Sequence, residues 1–340
     1  MKMASKIIKL LLTFTLLSII SNVYAAGPKC EIKFATVAPE GSAWMKVMRE
    51  LDDEVRAKTG GEVGFKIYPG GVQGDEIDVI RKMRYGQLHS AGFTGAGLGE
   101  ILPEVRILEL PFLFRSKEEV DFVSNKFIDR FDSAFRDKGF VLLGWAEVGY
   151  VYILGKEPMR GVKDLKGTRM WTWQGDPLAM ELFQSLDVKP LPLSLPEVLS
   201  GLQTGMLDAV YVSPLAAVSL QWFTRLKYMN VQPVTNAIGA VLVTKKQFDS
   251  IPAEKQQVLL DVSRKHLREL TKISRRDNQA SIVEMEKAGM VMLDPPSKEE
   301  MVNFYAVGEK VKRNLTGKLY SAELLADIEK ALKEYRAGKK

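Results

Sequence analysis

Two α/β lobes spanned by one long helix are predicted by three features of the sequence. Strand-like and helix-like patterns alternate from Glu31 to Gly86, the alternation resumes at Phe140, and Pro252 to Gly289 runs without an internal proline or glycine. Sequential β-α-β-α order argues for mostly parallel sheets covered by helices. A helix as long as that last stretch would extend roughly 55 Å at 1.5 Å per residue, more than one small lobe can use. It is therefore read as an element shared by two lobes.

The chain opens on a targeting pattern. Lys2, Lys6 and Lys9 form a basic head, an apolar run follows from Leu10 to Ile20, and Val23-Tyr24-Ala25 supplies small residues at −3 and −1 of a cleavage site. The unbroken apolar part is about half of the roughly 20 residues a spanning helix needs. Residues 1–25 are expected to be a cleaved signal peptide and the remainder an exported protein that is not itself embedded in the membrane.

Beyond it, Glu31 to Val37 alternates as a strand. Ser42 is placed to cap a helix whose apolar positions Trp44, Val47, Met48, Leu51 and Val55 recur at spacings of three and four. Val63, Phe65 and Ile67 form a second strand, and Asp75 caps a helix carrying Ile77, Ile80 and Met83 that ends at Gly86. Phe140 to Gly144, Tyr150 to Leu154, Thr168 to Thr172 and Asp208 to Val212 are further strands. Ser194-Leu195-Pro196-Glu197 has the form of a capping box. Helices around 298–313 and 321–337 finish the chain. Gly92 to Gly99 is glycine-rich and reads as a flexible loop at a strand end.

Composition narrows the function. An apolar fraction of 46% with 26% charged residues describes a soluble globular chain of 340 residues. Cys30 is its only cysteine, so no internal disulfide can form. The formal charge of +6 loses three positive units with Lys2, Lys6 and Lys9, and the remaining basic residues are interspersed with acids. That pattern is a solvated helical face, not a track for phosphates, so nucleic acid is not an expected partner. His89 and His266, the only histidines, lack neighbouring ligands at metal spacing, and no G-x-S-x-G elbow occurs. No catalytic residue, metal or cofactor is expected.

The residue singled out for binding is Arg169, between a turn and an apolar strand end, where a guanidinium could grip a carboxylate through two parallel hydrogen bonds. Trp171 and Trp173 share one face of that strand, as Tyr150 and Tyr152 share one face of another. Aromatic walls with a single anchoring arginine would suit a small organic acid.

Several motifs in order resemble the DctP-type solute receptors of the tripartite ATP-independent periplasmic (TRAP) transporters. Tyr68-Pro69-Gly70-Gly71-Val72-Gln73-Gly74-Asp75 is similar to the family's Y-P-x-x-Q-L-G-D segment. Pro103-Glu104-Val105 with Leu110-Pro111-Phe112 is similar to its P-E…L-P-F stretch. Asp164-Leu165-Lys166-Gly167-Thr168-Arg169-Met170 resembles D-L-K-G-x-[KR]-x-R, and Leu202-Gln203-Thr204-Gly205-Met206-Leu207-Asp208-Ala209 resembles L-Q-T-G-x-x-D-G.

The resemblance implies a periplasmic location and a periplasmic-binding-protein-like α/β fold with a central ligand cleft between the lobes. The expected division puts residues 26–149 with 235–279 in lobe I and 150–234 with 280–340 in lobe II. By similarity Arg169 holds the ligand carboxylate, and Ser213 stands where the family's asparagine would be. Trp173, Tyr150, Phe93 and Tyr211 are expected to shape the apolar wall around that carboxylate, with Glu147 in contact with the ligand. A second arginine known from sialic-acid-binding members is missing, its nearest positions being Tyr150 and Val151. The expected ligand is a monocarboxylate or 2-oxo acid, and the expected partner a TRAP membrane permease. The competing expectation is a secreted α/β enzyme acting on a small organic acid with Glu147 or Asp176 as acid and base.

Overall fold

The computed structural model describes residues 28–338. The signal-peptide pattern lies outside the described residues.

Two sheets organise the chain. The first contains β1 (Cys30–Ala35), β2 (Val63–Tyr68), β3 (Ser90–Thr94), β4 (Phe140–Trp145) and β11 (Gly239–Thr244), in the order β2-β1-β3-β11-β4. Strands β1, β2 and β3 are parallel, and β11 enters antiparallel between β3 and β4. The second contains β5 (Gly149–Gly155), β6 (Arg169–Trp173), β7 (Lys189–Leu193), β8 (Ala209–Val212), β9 (Tyr228–Met229) and β12 (Val291–Met292), in the order β12-β9-β5-β8-β6-β7. The short β10 (Thr235–Ala237) pairs antiparallel with β5 just before the chain returns to the first sheet at β11. The α/β architecture expected from the alternation is present, but its sheets are mixed rather than mostly parallel, because β4, β5 and β11 run against their neighbours.

Local chemistry sets the element ends. Ser42 Oγ accepts the amide of Met45 and opens the helix Ala43–Lys58, whose buried Val47, Met48, Leu51 and Val55 lie against the first sheet. Asp75 Oδ1 accepts the amide of Glu76 at 2.7 Å and opens the helix Glu76–Arg84. The predicted long helix is observed as Ala253–Lys287. It packs on the helix Ala43–Lys58 and on β4, and reaches the helix Pro214–Ser219 beside the second sheet. Asn278 helps to fix it there, donating to Val148 O and accepting from Leu215 N.

Several stretches differ from the sequence reading, among them the strands β7 and β11, which it leaves unassigned. Gly92 to Gly99 is not a loop: it forms the end of β3 and the helix Gly95–Ile101. Its glycines make room for buried carboxyl groups, since a Cβ at Gly95 would stand 2.2 Å from Glu109 Oε2 and one at Gly97 2.4 Å from Glu76 Oε2. The helix Lys117–Asp137, which buries Val123, Phe131 and Phe135 beside β4, falls where the sequence reading makes no assignment. One apolar core runs from Val79 and Ile80 on the first side to Leu178 and Phe183 on the second, so the two halves meet over a continuous surface.

Candidate functional site

Between the sheets lies a cavity of about 190 Å³. Strand ends and helix starts line it. Phe93 comes from β3, Trp44 from the start of the helix Ala43–Lys58, Trp171 and Trp173 from β6, Tyr211 from β8, and Trp222 from the turn after Pro214–Ser219. Trp171 is the hub of the rings, with centroids 5.6 Å from Trp173, 4.9 Å from Trp222 and 5.7 Å from Tyr211. Such offset and edge contacts fix the rings as a wall.

Charge on this wall is concentrated in one buried cluster. Arg106, only 4% exposed, is the cavity-lining arginine among the described residues. Its Nη1 reaches Glu109 Oε2 at 2.8 Å, and its Nη2 donates to Asp176 Oδ1 and Oδ2 at 3.0 and 2.9 Å. Asp176 caps the helix Pro177–Ser185 on the second-sheet side, so this ion pair crosses the cleft. Tyr211 donates to Asp176 Oδ2 at 3.3 Å, and Glu109 Oε1 accepts the amide of Ile238 at 2.6 Å.

Burial works against the Arg106 charge, but the carboxylates of Asp176 and Glu109 outweigh it and push its pKa up. Burial also pushes Glu109 up to about 7 despite the pull of Arg106. Glu76, on the same wall, is pushed up to about 8 by burial, although it accepts from Thr94 N, Thr94 Oγ1 and Gly97 N.

Of the residues singled out from sequence, the structure brings Phe93, Trp173, Tyr211 and Ser213 together on the cavity wall. Ser213 is buried and caps the helix Pro214–Ser219. Glu147 and Tyr150 line a separate pocket of about 30 Å³ with Lys117 and Arg275. There Glu147 pairs with Arg275, which also holds Asp121 at 2.6 Å, and burial pushes Tyr150 up to about 12.

Arg169 stands at the first position of β6 with its side chain 47% exposed, bound to Asp208 through Nε at 2.8 Å and Nη2 at 2.5 Å. It does not line the cavity. Two residues along a strand advance roughly 6–7 Å, and that step separates it from Trp171. The D-L-K-G-x-[KR]-x-R spacing, laid from Asp164, puts its final arginine on Trp171 and its [KR] position on Arg169.

Sequence reasoning passed over Trp44, Arg106, Glu109 and Asp176 as one site. The signal available was two opposite charges three residues apart, Arg106 and Glu109, embedded in the apolar run Val105 to Phe114. His89 and His266 are engaged elsewhere, by Glu31 O at 3.0 Å and Glu54 Oε2 at 2.7 Å. Among the described residues there is no acid, cysteine and histidine cluster suited to a metal, and no helix long and apolar enough to cross a membrane.

Comparison with known proteins places the geometry in context. The model of the bacterial extracellular solute-binding proteins, family 7 (DctP), matches residues 34–314. The 2,3-diketo-L-gulonate-binding periplasmic protein of Escherichia coli is 25% identical over 248 residues, covering 72% of this chain and 75% of that protein. A TRAP periplasmic solute-binding protein from Desulfovibrio salexigens, solved with bound orotic acid, superposes with a TM-score of 0.84 at 18% identity, covering 90% of this chain and 99% of that one. Another from Citrobacter koseri, solved with D-glucuronate, gives a TM-score of 0.81 at 23% identity over 89% and 98%.

Proposed function

The chain belongs to the bacterial extracellular solute-binding proteins of family 7, the solute receptors of TRAP transporters, and from that premise we propose that it captures a small monocarboxylate or 2-oxo acid in the periplasm. It then hands the solute to a membrane permease. Members of this family are receptors rather than enzymes, so the competing enzymatic expectation is set aside.

The observation that carries the ligand reading is Arg106, a buried guanidinium on the wall of an apolar cavity. A ligand carboxylate competes with Asp176 for the Nη2 donors, and charge-assisted bonds of this kind are strong where water is excluded. The relatives lend support: one is named for a diketo sugar acid, and two similar folds hold orotic acid and D-glucuronate. In this reading the anchoring role expected for Arg169 passes to Arg106. Because the cavity has walls from both sheets, a solute touching both sides favours the closed arrangement by its differential affinity for it.

A second reading has its own observation. The Arg106 charge is already faced by Asp176 and Glu109, which suits a neutral apolar solute. Thermal unfolding of protein stripped of ligand by unfolding and refolding separates the two. A ligand at 100 times its Kd adds about 2.7 kcal/mol of stability. Stabilisation by a monocarboxylate and not by its amide supports acid capture; equal stabilisation by both supports the neutral solute.

A further inference from the structure

Many polar groups of the cavity wall are turned into the protein. The indole N–H of Trp171 donates to Leu193 O at 3.1 Å, and that of Trp173 donates to Asp75 Oδ2 at 2.9 Å, so both rings offer their carbon faces. Three wall hydroxyls are committed in the same way. Thr94 Oγ1 donates to Glu76, Thr235 Oγ1 to Glu109 O at 2.6 Å, and Tyr211 to Asp176. A ligand hydroxyl set against these rings would shed its water and meet carbon faces whose N–H groups are already in use. An unpaired buried hydroxyl is disfavoured, whereas an apolar surface in the same place gains by leaving water.

We infer that the cavity selects solutes with an apolar body and rejects polyhydroxylated acids of the same size. The selection is made by the committed N–H and O–H groups around Trp171, Trp173, Tyr211 and Thr235. It rests on reading this cavity as the solute site, and adds to that reading a class of ligand. A hexuronic acid and an alicyclic acid present the same carboxylate to Arg106. They differ in their hydroxyls, to which the tryptophan faces offer no partner.

Isothermal titration of the refolded mature protein with cyclohexanecarboxylate and with D-glucuronate tests this directly, since both are six-membered saturated rings bearing one carboxylate. The expected result is binding of cyclohexanecarboxylate, or of 4-methyl-2-oxopentanoate should the ring be too broad, at least about 100-fold tighter than glucuronate. Glucuronate binding as tightly as the apolar acids, or alone, overturns the inference and leaves organic-acid capture standing. Heat from none of the acids overturns both. A Trp44→Ala variant gives an independent arm, because Trp44 is half-buried at a helix start and contributes its ring to the wall. With an unchanged circular-dichroism spectrum, it is expected to bind the apolar acid at least about fivefold more weakly; undiminished affinity would contradict the ring wall.

Discussion

Trp173 Nε1 donates to Asp75 Oδ2 at 2.9 Å, joining β6 of the second sheet to the cap of a helix on the first. The same oxygen accepts the amide of Leu195 at 3.1 Å. Together with Arg106 and Asp176, these bonds hold the two sides of the cavity against each other. A hydrogen bond to a charged group contributes about 1.5–3 kcal/mol. Trp173→Phe keeps a ring and leaves Asp75 Oδ1 on the helix cap. Its solute-free radius of gyration by small-angle scattering should rise, and saturating solute should bring it back. An unchanged radius would show that this contact does not hold the cleft.

Arg106 is the counter-charge for two buried carboxylates. Replacing it by Met leaves Asp176 and Glu109 in an apolar wall with no cation, a change that costs about 3–5 kcal/mol in comparable buried pairs. Urea unfolding should report a loss of that size in Arg106→Met. A loss below about 1 kcal/mol would mean that the cluster is solvated in the folded protein.

Arg169 offers the contrasting case. Its pair with Asp208 is exposed, and exposed pairs contribute little to stability. Arg169→Ala is expected to bind solute with wild-type affinity in a calorimetric titration and to keep nearly the same melting temperature. Loss of binding would return the anchoring role to Arg169.

The raised pKa of Glu76 makes stability depend on pH. A carboxyl held at about 8 when folded and near its ordinary value when unfolded keeps a proton that the unfolded chain has released. Its contribution is complete below pH about 4.5 and is lost as pH rises through about 8. The nearby Asp75 charge pushes Glu76 in the same direction as burial. Melting temperature should therefore fall between pH 5 and pH 8.5, and Glu76→Gln should flatten that fall whatever its cost at pH 5. An equally steep profile in the variant would assign the effect to other groups, Glu109 first among them.

The elements with strong local signals were legible in the sequence. The caps at Ser42 and Asp75, the alternation through Val63, Phe65 and Ile67, and the uninterrupted stretch after Pro252 each depend on neighbours in the chain. Part of the wall was legible too, because Trp171 and Trp173 alternate along one strand and so face the same side. The charged cluster was not, since Arg106 and Asp176 are 70 residues apart and meet only when the two sheets close. Gly95 and Gly97 misled for the same reason. Their small size answers to the side chains of Glu109 and Glu76 from other elements, and local sequence reads it as flexibility.

Four tryptophans line the cavity, so its occupation can be followed by their emission. Titration of the refolded protein with a small apolar monocarboxylate, and in parallel with the neutral amide of the same body, tests capture at Arg106 most directly. The account predicts a saturable change with the acid at one site per chain, and an amide bound at least about tenfold more weakly because it brings no charge to Arg106. An amide bound as tightly as the acid, or no saturable change with any acid, would contradict it.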